Sequence, residues 1–159
     1  MTKAFQDYYP ENLSHCYGCG VNNKQGHQLK SYWHKNSDNG AEQTIAHFTP
    51  KEYHTAIPNF VYGGLLASLI DCHGTGSAAA ISYKKANRAM DTEPVFRFVT
   101  AALNINYLAP TPMGVELTLI GTFIEIKEKK VIVDIEVIAQ GKVCVQGQVI
   151  AVKMPVTMT

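Results

Sequence analysis

Charge is scarce in this 159-residue chain: Asp, Glu, Lys and Arg together make up 17%, below the roughly 25% of an average soluble domain. So thin a charged coat leaves surface for another subunit to cover, which predicts a homo-oligomer, a dimer or a dimer of dimers. Neither sign of charge dominates. Fourteen Lys and Arg stand against 13 Asp and Glu, for a net charge of +1. That balance lacks the basic excess that phosphate-backbone binding demands, so no nucleic-acid partner is expected. Long apolar runs are missing as well. No stretch approaches the roughly 18 uncharged apolar residues of a membrane span, and Met1 to Asn12 is polar rather than charged-then-apolar like a secretory leader. A cytoplasmic protein without membrane attachment is the expectation. Cysteine is sparse: Cys16, Cys19, Cys72 and Cys144 are too few and too unevenly placed to staple a secreted scaffold, so reduced thiols are expected. No Walker-type or dinucleotide-type glycine pattern occurs, which argues against nucleoside triphosphate or NAD chemistry.

What is present is one domain's worth of chain, with 46% apolar residues to build a single core. Residues 1–29 lack sustained periodicity and read as a lead-in packed on the domain; residues 30–159 form the domain itself. Leu29 to Lys35 and Ala41 to Thr49 alternate like strands, and Asn36-Ser37-Asp38-Asn39-Gly40 between them is a hairpin turn. From Tyr62 to about Lys85 the apolar residues Leu65, Leu66, Leu69, Ile70, Ala78, Ala79 and Ile81 fall on closely spaced helical turns, with so few charges that the helix is expected to be enclosed. Gly74 and Gly76 in its middle each cost about 1 kcal/mol of propensity, which predicts a close backbone contact or a bend. Alternation then returns in Phe96 to Leu108, Val115 to Ile126, Val131 to Ala139 and Val143 to Lys153. Their short connections predict antiparallel neighbours. One enclosed helix and about six strands are satisfied only if the sheet curls around the helix. The predicted class is therefore α+β, and the element order is that of the hotdog fold.

The stretch from Asn59 to Asp71 carries the chemistry. Gly63 and Gly64 at a helix start let a ligand approach the backbone, and first-turn N–H groups have no acceptor within the helix. Such donors can hold the oxyanion that forms when a thioester carbonyl is attacked, which makes the Gly63 amide a candidate; tight helix-on-sheet packing is the other use of paired glycines. Asp71 stands among Leu69, Ile70 and Cys72, where a carboxylate is costly unless paired or functional. It is a candidate general base toward water or a direct nucleophile, and a hydrogen-bonded loop anchor is the alternative. Gly63 and Asp71 are eight residues apart, about 12 Å along one helix. They cannot both touch one carbonyl. If both act, one subunit supplies the donor and its mate the carboxylate, on helices lying side by side in opposite directions.

Residues 62 to 71, Tyr-Gly-Gly-Leu-Leu-Ala-Ser-Leu-Ile-Asp, resemble the His-Gly-Gly motif with Asp nine residues after the His in hotdog acyl-CoA thioesterases of the PaaI-like type. Cys16-Tyr17-Gly18-Cys19-Gly20, Asn23 and Gly26 are similar to that family's N-terminal Cys-x-x-Cys-Gly-x-x-Asn-x-x-Gly lead-in, and Tyr107 to Gly114 resembles its later strand-end turn. The resemblance implies hydrolysis of an acyl-CoA thioester without a cofactor. It assigns Asp71 as the catalytic carboxylate, Gly63 as the oxyanion-binding amide and, by a weaker match, Thr100 as a positioner of water; an ordinary strand threonine is the other reading of Thr100. Tyr62, Gly64, His54, Asn59, Phe60 and Leu66 are the expected substrate-binding residues.

Tyr62 departs from the motif, and a phenol cannot shuttle protons near neutral pH as an imidazole does. That departure keeps a non-catalytic acyl-CoA binding protein of the same fold open as an alternative, with a hotdog dehydratase or hydratase as a minor one. Cys16-x-x-Cys19 with His15 and His27 nearby has the start of a zinc pattern, yet no second Cys-x-x-Cys or spaced His pair follows, so no metal is expected. For coenzyme A phosphates the candidate cations are Lys84, Lys85, Arg88, Arg97, Lys127, Lys129 and Lys130.

Overall fold

The computed structural model describes residues 1–158. Two strands come first, β1 (Ser31–Lys35) and β2 (Glu42–Phe48), then the helix α1 (Gly63–Lys85), then β3 (Phe98–Tyr107), β4 (Leu117–Ile126), β5 (Lys130–Ala139) and β6 (Lys142–Lys153). The six strands form one sheet in the order β1-β2-β4-β5-β6-β3, every neighbouring pair antiparallel. This is the hotdog architecture that the element order predicts: a curved antiparallel sheet wrapped around one long helix.

Alternation decides which face meets the helix. On β5, Val131, Val133, Ile135, Val137 and Ala139 are buried while the residues between them are half-buried, and β6 contributes Val145, Val149 and Ala151 to the same core. The β5–β6 hairpin turns on Gln140 and Gly141, both at positive φ (52° and 77°), the backbone that a two-residue connection needs to match strand twist. Helix α1 sends Leu65, Leu66, Leu69 and Ile70, none more than 4% exposed, into that face, each contributing about 1.5–3 kcal/mol by burial. Tyr62, which precedes the helix, makes no side-chain cap, so packing rather than local propensity holds the helix in place.

Gly74 marks a close approach. A Cβ there would lie 2.5 Å from Val149 Cγ2 on β6, and one at Gly147 would lie 2.7 Å from Ile70 Cγ2. The helix therefore lies almost on the backbone of β6, and it runs unbroken from residue 63 to 85. Of the two outcomes predicted for the mid-helix glycines, contact is the one realised at Gly74.

The lead-in contains two short 3-10 turns, Phe5–Tyr8 and Glu11–Leu13. Phe5 is buried against Trp33, ring centroids 5.2 Å apart, and the Gln6 side chain receives the Ser31 amide at 2.8 Å. Among the described residues no helix is long and apolar enough to cross a membrane.

Candidate active site

Three consecutive residues on α1 face three different surroundings. Asp71 is half-buried and accepts a hydrogen bond on Oδ1 from the Thr100 hydroxyl of β3. Its other carboxylate oxygen has no hydrogen-bond partner, and no cation pairs with it, among the described residues. Thr100 is aimed by the strand itself: the β3–β6 register shifts between Thr100 and Ala102, and a bulge of this kind re-aims the side chain beside it. The two residues that resemblance assigned to the reacting water are thus in contact.

Cys72 comes next. Its sulfur lies 3.7 Å from Cys16 Sγ, and the sulfurs of Cys16, Cys19 and Cys72 all lie within 4.8 Å of one another. His73 follows, wholly enclosed. Its Nδ1 is 2.9 Å from Ser31 Oγ and its Nε2 3.1 Å from Thr44 Oγ1, while Thr44 Oγ1 is also 2.7 Å from Ser77 Oγ. Burial pushes the His73 pKa down to about 4. Sequence reading singled out neither this network nor the third sulfur. A buried His is visible in sequence only as one polar residue in an apolar helix, and its partners come from two distant strands.

At the start of α1 the geometry is that of an anion site. The Leu65 and Leu66 amides both turn to the Tyr62 carbonyl, at 3.1 and 3.4 Å. The amides of Gly63 and Gly64 have no acceptor among the described residues, so two donors, not one, are available where the helix dipole favours negative charge. The Tyr107 hydroxyl donates to the Gly63 carbonyl at 2.7 Å, tying the far end of β3 to the helix start. Around these amides is an open cleft of about 580 Å³ lined by Phe60, Tyr62, Leu66, Tyr107, Leu108 and Thr111, among others. Thr111, 3% exposed, has a buried hydroxyl without a partner among the described residues. The Tyr62 ring lies across Gly64, where any Cβ would collide with it.

Of the expected substrate-binding residues, Tyr62, Gly64, Phe60 and Leu66 line this cleft; His54 and Asn59 do not. Asn59, at φ 75°, receives the Met113 amide on its carbonyl at 2.9 Å. His54 Nδ1 accepts the Lys51 amide at 2.9 Å and its ring packs on Tyr53, His27 and Phe48, with burial lowering its pKa. Both shape the loop instead of facing the cleft. Gly63 and Asp71 stand on the same unbroken helix, about 12 Å apart along its axis.

The candidate cations disperse. Lys84 pairs with Glu42, and Lys127 and Lys130 with Glu125. Arg97 turns inward, its guanidinium 4.0 Å from the Tyr9 ring centroid. Arg88 holds the carbonyl of Thr92 at 3.0 Å. Lys85 and Lys127, with Lys153, line a separate cleft of about 530 Å³ beside Phe96 and Phe98 at the other end of α1.

Comparison with known proteins bears on this geometry. A family model described as the thioesterase superfamily matches residues 58–146. A thioesterase superfamily protein of Shewanella loihica is 53% identical over 92% of this chain and 100% of its own, with a TM-score of 0.66. Two others share the fold at low identity. A thioesterase of Haemophilus influenzae is 14% identical over 78% of each chain, with a TM-score of 0.59. A Streptococcus mutans protein crystallised with acetyl coenzyme A is 17% identical over 79% of this chain and 88% of its own, with a TM-score of 0.58. No curated protein matches.

Proposed function

The chain belongs to the thioesterase superfamily, and we propose that it hydrolyses an acyl-CoA thioester to the free acid and coenzyme A, at a site shared between two copies. The single observation that carries this reading is the pairing of Thr100 with an otherwise open carboxylate at Asp71. A carboxylate with one oxygen fixed and the other free can orient a water molecule and take its proton, or attack the carbonyl itself. The oxyanion is received by the amides of Gly63 and Gly64 of the other copy, each a fixed donor that needs no reorganisation during the reaction.

Strand β3 supports the shared site. It is ten residues long and forms one edge of the sheet, its outer side unpaired among the described residues; an edge of that length invites a partner strand. One end of β3 touches Asp71 through Thr100 and the other touches Gly63 through Tyr107. Antiparallel pairing of two β3 edges brings the Tyr107–Gly63 end of one copy toward the Thr100–Asp71 end of its mate. Exposed Ile57, Phe60, Tyr62, Tyr107 and Leu108 flank the helix start as an apolar patch of the kind that partners or acyl chains cover. The acetyl coenzyme A held by the Streptococcus mutans protein is consistent with the proposed substrate class.

The test is release of free coenzyme A thiol from short, medium and aromatic acyl-CoAs by the parent, Asp71→Ala and Asp71→Asn. Turnover by the parent and its loss in both variants supports the reading. Equal turnover in all three removes Asp71 from the mechanism. The second reading, acyl-CoA binding without hydrolysis, is favoured by Tyr62 at the position where resemblance places His; tight binding with no thiol release from the parent would establish it.

A further inference from the structure

Cys16 and Cys19 come from the lead-in and Cys72 from α1, 53 residues later, yet their three sulfurs converge to within 4.8 Å. Cys19 and Cys72 belong to the apolar core and Cys16 packs against it; packing as small apolar side chains accounts for their burial but does not by itself bring three sulfurs to a common point. The lead-in is shaped around them. The Gly20 amide donates to the Cys16 carbonyl at 2.8 Å, and Gly18 lies so close to Cys72 Sγ that no Cβ fits there.

Two buried polar groups beside the sulfurs are unsatisfied. Tyr9 Oη and Arg97 Nη1 are both shielded from solvent without a hydrogen-bond partner among the described residues. Tyr9 is within electrostatic reach of Cys19 and Cys72, and Arg97 within reach of Cys19 and Cys16. Arg97 has no carboxylate partner among the described residues. A guanidinium withdrawn from water needs an anion, and an orphaned buried polar atom calls for an ion or a water.

We propose that Cys16, Cys19 and Cys72 form a binding site for one Zn²⁺ ion, which fastens the lead-in to α1 one residue beyond Asp71. Tetrahedral zinc with bonds of about 2.3 Å to sulfur sets its sulfurs about 3.8 Å apart, and Cys16 Sγ and Cys72 Sγ are 3.7 Å apart. Charge selects a divalent ion. Three thiolates and one Zn²⁺ leave a single negative charge, which Arg97 cancels, whereas a monovalent ion would leave an uncompensated charge in the interior. Binding releases the remaining thiol protons to solvent. Three thiolates leave one position of a tetrahedral ion open.

The experiment is metal analysis of the protein purified under reducing conditions, followed by chelation and titration with Co²⁺, which reports thiolate ligation as a charge-transfer absorption band. Expected are about one zinc per chain and a Co²⁺ band that saturates at a similar ratio, survives Cys144→Ala and is lost in Cys16→Ser and Cys72→Ser. Cys16 is half-buried, so its variant keeps the test decisive should Cys72→Ser fail to fold. A parent without the band, a band that persists in Cys16→Ser, or a Cys16–Cys72 disulfide in the reduced preparation overturns the proposal. None of these readouts depends on acyl-CoA turnover.

Discussion

His73 and Asp71 are two residues apart on one helix, and only one of them has all its hydrogen bonds made. Both ring nitrogens of His73 are engaged by hydroxyls from β1 and β2, and no part of the residue meets solvent. Asp71, half-buried, has one oxygen held by Thr100 and one oxygen free among the described residues. A polar group whose partners are complete can stabilise but cannot react; one with spare valence on a half-open face can. Burial alone would have nominated His73 as the functional residue. Counting satisfied valences reverses that choice, because catalysis needs a group that is positioned and still unsatisfied.

The largest effect that tests this contrast is loss of the carboxylate. Asp71→Asn keeps size and the Thr100 contact but cannot take a proton, so turnover of acyl-CoA is expected to fall by about 10²–10⁴-fold with little change in thermal unfolding. His73 is expected to behave in the opposite way. His73→Ala leaves the Ser31 and Thr44 hydroxyls without their buried partner and opens a cavity, a loss of about 3 kcal/mol in denaturant unfolding, with turnover per folded molecule retained. A variant at 73 that abolishes turnover while remaining folded would break the comparison.

The same contrast has a pH form. His73 has its pKa lowered by burial from 6.5 to about 4, so the folded chain keeps it neutral where the unfolded chain protonates it. Its contribution is complete above about pH 6.5 and is lost as pH falls toward 4, a total of about 3 kcal/mol at most. His73→Gln is expected to flatten the stability profile between those limits, whereas Asp71→Asn is expected to leave that slope in place. Urea unfolding midpoints across this range separate the two. A smaller effect is expected at Thr100. Thr100→Val preserves shape but frees the Asp71 oxygen, and kcat is expected to fall about tenfold with KM nearly unchanged; an unchanged kcat would reduce Thr100 to a strand residue.

The fold was legible because periodicity changes once, from strand to helix and back, and because each turn carries its own chemistry, as Gln140-Gly141 does. The enclosure of α1 followed from its lack of charge. Of the candidate site, the spacing was legible: Gly63 and Asp71 stand on one helix, too far apart to meet, and that argument uses only the rise per residue. What escaped was assembled by topology. Cys72 joins Cys16 and Cys19 because the lead-in folds back onto the helix, and Ser31 and Thr44 meet His73 because β1 and β2 lie beside it. His54 and Asn59 drew attention as polar residues near the motif, yet the loop uses them for its own hydrogen bonds and ring contacts. Sequence proximity to a motif does not place a side chain in a cleft, whereas regular helix and strand geometry does.

Tyr62 gives the smallest expected effect and sharpens the comparison at the other end of the helix. If the residue at this position worked by proton transfer, a phenol could not replace it near neutral pH, and removal of the hydroxyl would matter greatly. Among the described residues the hydroxyl has no partner, while the ring lies across Gly64 and the residue is 58% exposed beside two free amides. Under the proposed function the ring serves as a wall, limiting water at the helix start and offering apolar surface to the acyl group. Tyr62→Phe keeps that wall, and KM and kcat are each expected to change by no more than about threefold. A loss of about a hundredfold in kcat would make the hydroxyl part of the chemistry. The open groups at this end of α1 would then include a side chain as well as the Gly63 and Gly64 amides.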